Sequence, residues 1–196
     1  MAPAFCAAKL VLFGSSHGTQ WHHLPGHIQT ALQTLSPKFS GVLQNHSQGG
    51  ASLTDQRMAL FRELLAKLGN EAGVRVVVFL LGGNDLREGD EPDVVVAKFA
   101  QLIEFAAQFL NLKLVISAIV PQQHQSDLDR SRFMKCTHEL RSLCKLHPQA
   151  TFFNLVRGLL YMGEPREEYW EDAIHLNRQG AQVVANQLKE VLRCLK

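Results

Sequence analysis

The chain has 196 residues, 46% of them hydrophobic and 19% charged, which fits one globular domain over residues 1–196 and excludes a disordered or fibrous chain. Twenty Lys and Arg against 18 Asp and Glu leave a formal net charge of +2, with no basic run to make nucleic acid or an anionic membrane the default partner. No apolar stretch reaches the roughly 18–20 residues that span a bilayer.

The first residues, MAPAFCAAKLVLFG, lack the basic start of a signal peptide, and their apolar part runs directly into the first motif. They are read as a short tail leading into a strand. Cys6, Cys136, Cys144 and Cys194 show no CxxC spacing, which suits reduced thiols. The expected location is therefore the cytoplasm or nucleus.

Strands and helices alternate along the chain. Lys9–Phe13 reads as a first strand, Leu24–Leu35 as a short helix ending before Pro37, and Phe39–Asn45 as a second strand. Leu53–Leu68 is predicted as an amphipathic helix with Leu53, Leu60, Leu64 and Leu68 on one face, ending at Gly69. Val74–Leu81 is apolar and β-branched without alternation, the pattern of a central parallel strand buried on both faces. Pro92 opens a helix to about Leu110, and Lys113–Val120 is a fourth strand stopped by Pro121. Asp127–Leu146 is a helix carrying Phe133, Leu140 and Leu143, and Thr151–Leu155 a short fifth strand. An irregular stretch, Gly158–Asp172, precedes a last helix over Asn177–Leu195. Such alternation predicts an α/β fold: a three-layer α/β/α sandwich around a parallel sheet of about five strands.

Polar groups recur at corresponding places in this pattern. Gly14-Ser15-Ser16-His17-Gly18 follows the first strand, Asn45 to Ala51 the second, and Gly82-Gly83-Asn84-Asp85 the third. Asp172-Ala173-Ile174-His175-Leu176-Asn177 precedes the last helix. Parallel strands deliver the first three turns to one sheet edge, the edge where open α/β sheets bind ligands. A hydroxyl, glycine and asparagine N–H donors, and an Asp–His pair at one cleft are the parts of a serine hydrolase. The spacing of Asp172 and His175 puts both on one side of a turn, so the carboxylate can accept from Nδ1–H and leave Nε2 for the nucleophile.

Each motif has a plainer reading when taken singly. The serines suit a helix N-cap, Gly49-Gly50 a tight turn, Asn84-Asp85 an Asx turn, and Asp172 with His175 a capping pair. Their occurrence in this order resembles the SGNH/GDSL hydrolases over nearly the whole chain. LGGNDL and DAIHLNRQG are close to that family's third and last blocks. The resemblance implies a flavodoxin-like fold with Ser16 as nucleophile and Asp172 and His175 completing a triad. It also implies an oxyanion hole from the Ser16 and Gly50 N–H groups and the Asn84 side chain, with no metal or organic cofactor. Ser15 departs from the family, which commonly has Asp there, and the shorter hydroxyl organises the turn more weakly.

The expected reaction is hydrolysis of a short-acyl, acetyl-type ester. A non-enzymatic module binding an acylated ligand or a protein partner is the alternative. The chain also resembles the esterase-type domain of some animal LINE retrotransposon proteins. The expected partner is a small-molecule or acylated substrate, and nothing in the residues specifies an oligomeric state. His17, His22, His23, His27 and His46 crowd the first two motifs; His23 and His27 have a metal-compatible spacing but no matching Asp, Glu or Cys, so no metal site is read there. Trp21, Tyr161, Tyr169 and Trp170 are candidates for lining the cleft, and Glu164 to Asp172 reads as a solvated acidic loop.

Overall fold

The computed structural model describes residues 9–16, 44–120, 122, 126–161 and 163–195. The helix expected over Leu24–Leu35, most of the strand Phe39–Asn45, Cys6, Pro121, Trp21, His17, His22, His23 and His27 lie outside the described residues.

A five-stranded sheet organises the fold, formed by β1 (Lys9–Gly14), β2 (Gln44–Asn45), β3 (Arg75–Leu80), β4 (Leu112–Ser117) and β5 (Ala150–Phe153). The order is β2-β1-β3-β4-β5 and every pairing is parallel. The order reverses at β1, where the chain goes to β2 on one side and β3 on the other. That switch point opens a crevice at the carboxyl ends of β1 and β3.

The sequence of β3 shows why it is central. Val77 and Phe79 enter one core with Val11, Phe13, Leu114 and Ile116, while Val76, Val78 and Leu80 enter a second with Leu10, Leu12, Val115 and Phe153. A strand covered on both faces has no reason to alternate polar and apolar residues. The first core is closed by α1 (Asp55–Gly69), α3 (Pro92–Ala106) and α4 (Asp127–Leu146), and the second by α5 (Arg178–Cys194). Ala181, Val184, Ala185, Leu188 and Leu192 form the buried stripe of α5, at the spacing one helix face requires. The fold is the α/β/α arrangement expected. None of the described helices is long and apolar enough to cross a membrane.

Several elements differ from the sequence expectation. In α1 the buried residues are Met58, Phe61, Leu65 and Leu68, whereas Leu60 is 51% exposed. The reason lies at the helix start. Thr54 caps it by accepting from Arg57 N at 3.4 Å, so Leu53 stands before the helix and does not set its face. A short helix, α2 (Gly83–Glu88), fills the stretch between β3 and α3, and α3 ends at Ala106, short of Leu110, which is 90% exposed. The stretch after β5 contains a small antiparallel pair, β6 (Leu160–Tyr161) and β7 (Glu164–Pro165), and a 3-10 turn (Glu167–Tyr169). Cys136 and Cys144 lie on the buried face of α4 as free thiols. Burial pushes both up to about 12, with the charges of Glu139 and Asp85 adding to the effect at Cys136.

Candidate active site

The turns after β1, β2 and β3 are stitched together by backbone bonds that extend the sheet beyond its strands. Ser15 N donates to Leu80 O at 3.2 Å, Gln48 N to Gly14 O at 3.0 Å, and His46 N to Leu12 O at 2.8 Å. Ser16 lies two residues past the end of β1, in helical backbone, and is half-buried. The first three motifs therefore share one edge because their strands are parallel neighbours.

Gly82 makes the third turn possible. Its φ is 101°, and a Cβ there would lie 2.8 Å from Ile119 Cδ1 and 3.1 Å from Val95 Cγ1. The turn buries Asn84 and Asp85 at the start of α2. Asn84 Nδ2 donates to Ala51 O at 2.8 Å, and Asp85 Oδ1 accepts from Leu53 N at 2.7 Å. The two side chains thus clamp the segment that follows Gly50. Burial raises the Asp85 carboxyl above its ordinary 3.8, against the opposing pull of the Leu53 N–H and of Lys98, whose Nζ is 3.4 Å from Oδ1. Gly50 occupies the third position of a turn closed by Ala51 N to Gln48 O at 3.1 Å, and its φ of 70° suits glycine there.

The last motif is folded around Asp172. Its Oδ1 accepts from Ile174 N at 2.7 Å and from His175 N at 2.6 Å, and its Oδ2 lies 2.7 Å from His175 Nδ1. These contacts hold the Asp172 carboxyl down at about 2, the His175 side chain first and the two backbone N–H groups next. A bridge between Trp170 and Leu176, with Glu171 N donating to His175 O at 2.8 Å, closes the loop. Asn177 then caps α5 by accepting from Gln179 N and Gly180 N at 2.9 and 3.0 Å, while its Nδ2 donates to Glu168 O at 2.8 Å.

Gly180 lets the helix dock here. A Cβ on it would overlap the Tyr169 carbonyl oxygen and lie 3.1 Å from Leu176 Cδ2. Gly180→Ala is expected to lower stability by about 1–3 kcal/mol through overpacking. Thermal denaturation should show a Tm lower by several degrees; a parent-like Tm would mean the loop yields freely.

A pocket crosses the carboxyl edge of the sheet between these elements. Ser15, Ser16, Gly83 and Asn84 line it, together with Leu80, Ser117, Ile119, Leu155 and Val184. Ile174 and Leu176, on either side of His175, complete the wall. The structure therefore brings Ser16 and Asn84 to one pocket and sets the His175–Asp172 pair in the loop that walls it. Gly50 is outside the lining, one residue from the carbonyl that Asn84 contacts.

Tyr161, Tyr169 and Trp170 are not among the described residues that line this pocket. Trp170 packs in the second core, Tyr169 is half-buried against it, and Tyr161 is 70% exposed. Trp170 is drawn inward because its backbone pairs with Leu176. His46 stacks on Phe13 at a centroid distance of 5.4 Å. The acidic loop is solvated, with Glu164, Glu167, Glu168, Glu171 and Asp172 exposed.

Three polar lining residues do not stand out in the sequence, Arg87, Ser117 and Gln122. Arg87 donates through Nη2 to Asn84 Oδ1. With the Gln122 amide turned oxygen-inward, it accepts from Arg87 Nε at 3.2 Å and from Nη1 at 3.0 Å. The signal for Arg87 is its place three residues after Asn84, on the same helical face.

This architecture and its family likeness define a carboxylic ester hydrolase. The chain belongs to the GDSL-like lipase/acylhydrolase family, whose model matches residues 12–183. No curated protein matches the sequence. Among solved structures, a member of the lipolytic G-D-S-L family from Veillonella parvula superposes with a TM-score of 0.76 at 16% identity, covering 96% of this chain and 100% of that one. The acetyl xylan esterase AlAXEase gives 0.68 at 19% identity, covering 94% of this chain and 99% of its own. A catalytic mutant of an acetylxylan esterase from Geobacillus stearothermophilus gives 0.69 at 15% identity, covering 95% of both. At these identities the structures establish a shared fold.

Proposed function

We propose that the protein is a serine esterase that hydrolyses short-acyl, acetyl-type carboxylic esters. Ser16 is the nucleophile, His175 the general base and Asp172 the carboxylate that orients it. The N–H groups of Ser16 and Gly50 and the Asn84 amide are the oxyanion donors. The observation that carries this reading is the convergence of Ser16, Asn84 and the two neighbours of His175 on one pocket, with His175 Nδ1 held 2.7 Å from Asp172 Oδ2.

The chemistry follows from these roles. Ser16 Oγ attacks the acyl carbon and its proton passes to His175 Nε2, while the donors stabilise the oxyanion. The imidazolium protonates the leaving alcohol as the C–O bond breaks, giving an acyl-serine. Water attacks that ester with His175 as base, and the acid leaves as Ser16 regains its proton.

The lining of the pocket supports a short acyl group. Leu80, Ile119, Leu155, Ile174, Leu176 and Val184 give it an apolar wall beside Ser16, which suits the methyl of a small acyl group. Across p-nitrophenyl acetate, butyrate and octanoate, kcat/KM is expected to fall at least about tenfold from the first ester to the last, since each misfit methylene in such a pocket carries a penalty of about 1–3 kcal/mol. An octanoate rate equal to or above the acetate rate would refute the short-acyl assignment. Fluorophosphonate should label Ser16 in the same preparation, as shown by peptide mass. Absence of label in folded protein would favour a non-catalytic binding module.

A further inference from the structure

We propose that Arg87 is a positioning residue of this site, fixing the orientation of the Asn84 amide and strengthening its remaining N–H as an oxyanion donor. The proposal rests on the esterase reading above.

A carboxamide is nearly symmetric in shape, so sterics alone do not decide which way the buried Asn84 side chain faces. Its partners decide. Oδ1 accepts from Arg87 Nη2, and one Nδ2 hydrogen goes to Ala51 O at 2.8 Å. A flip would set the NH2 group against the guanidinium and the oxygen against the Ala51 carbonyl, opposing donor to donor and acceptor to acceptor. The second Nδ2 hydrogen has no partner among the described residues, and Asn84 lines the pocket beside Ser16.

Arg87 is itself held for the task. It stands one turn after Asn84 on α2, and Gln122, from the loop after β4, can take its Nε and Nη1 hydrogens at 3.2 and 3.0 Å. Both of these partners are neutral amides. Among the described residues no carboxylate forms an ion pair with Arg87, in contrast to Arg75, Arg130, Arg132, Arg166 and Arg193. Among the described residues its positive charge is thus paired with amides and not with an acid, beside the pocket where an ester carbonyl would become negative. A cation bonded to an amide oxygen draws electron density from the amide and makes its N–H groups better donors. In this proposal Arg87 acts through Asn84, whose oxygen it holds.

The test is a double-mutant cycle of Arg87→Ala and Asn84→Ala, with kcat and KM measured on p-nitrophenyl acetate. Arg87→Ala alone is expected to lower kcat about 10–100-fold, a part of the 10²–10³ typical of deleting a donor outright, with KM changed by less than about threefold. In the Asn84→Ala background the same substitution should cost less than about twofold, because the group it serves is gone. Guanidinium added to Arg87→Ala should recover part of kcat, and should do nothing for Asn84→Ala. Arg87→Lys, which keeps the charge, should fall between the parent and Arg87→Ala, and it supplies the comparison if the alanine variant folds poorly. A parent-like kcat in Arg87→Ala would overturn the proposal, as would an equal loss in both backgrounds. Ser16→Ala separates this from failure of the esterase reading: if that variant keeps its activity the site assignment falls, whereas an inactive Ser16→Ala beside a fully active Arg87→Ala removes only the role of Arg87.

Discussion

Ser16→Ala should lower kcat on short esters by on the order of 10⁶, with the fold unchanged. The expectation follows from the role proposed for the hydroxyl, which is to form the acyl-enzyme. Substrate binding and the oxyanion donors would survive, leaving a residual acceleration over water of about 10³–10⁴. The substitution removes one oxygen from a half-buried residue, and the backbone bonds that set the turn come from Ser15 N and Gly14 O. The melting temperature should therefore stay close to the parent value. Ser15 lines the same pocket and is buried, so Ser15→Ala is the necessary companion. That variant should keep most of its activity and its fluorophosphonate label. If Ser15→Ala is the inactive variant and Ser16→Ala the active one, the nucleophile is Ser15. If both are active, neither Ser15 nor Ser16 is the nucleophile.

Those parts of the site that depend on local spacing are legible in the sequence alone. Gly82-Gly83-Asn84-Asp85 after a non-alternating strand announces a turn at the carboxyl edge of a sheet, and the structure buries β3 on both faces as that pattern requires. Asp172 and His175, three residues apart, meet through a single turn with their side chains 2.7 Å apart. Features decided by competition between equally periodic alternatives are less legible. In α1 two leucine-containing stripes both satisfy helical spacing, and the choice falls to a cap at Thr54 and to the bond from Leu53 N to Asp85, 32 positions away. The short helix α2 is hidden because its residues, GNDLRE, are mostly polar and it makes little more than one turn. Arg87 on such a helix looks like a solvated side chain until Gln122 and Asn84 are seen around it. Trp170 looks like a cleft residue by its position and becomes a core residue through pairing with Leu176, which periodicity does not encode.

Asp172→Asn should lower kcat by about 10⁴ while leaving the loop folded. The two oxygens of Asp172 have separate tasks. Oδ1 accepts from the backbone of Ile174 and His175, and an asparagine oxygen can keep both bonds. Oδ2 faces His175 Nδ1, and an NH2 group there would require Nδ1 to accept. The ring proton would then sit on Nε2, the atom that has to receive the serine proton, so the base would be blocked by its own tautomer. Asp172→Ala removes both functions and should lower Tm as well as kcat, which makes the pair diagnostic. The pH dependence carries a sign that can be checked. The Asp172 carboxyl is held at about 2, below its ordinary 3.8, by His175 and by two backbone N–H groups. A depressed carboxylate contributes its interaction fully above about pH 4 and loses it as pH falls through about 2. Asp172 therefore stays ionised wherever the enzyme would be assayed, and no acid limb of kcat/KM above about pH 4 belongs to it. If the residue orients the imidazole, Asp172→Asn lowers the plateau of the pH–rate profile. A parent-like plateau in Asp172→Asn would remove the carboxylate from the mechanism and leave His175 to act without it.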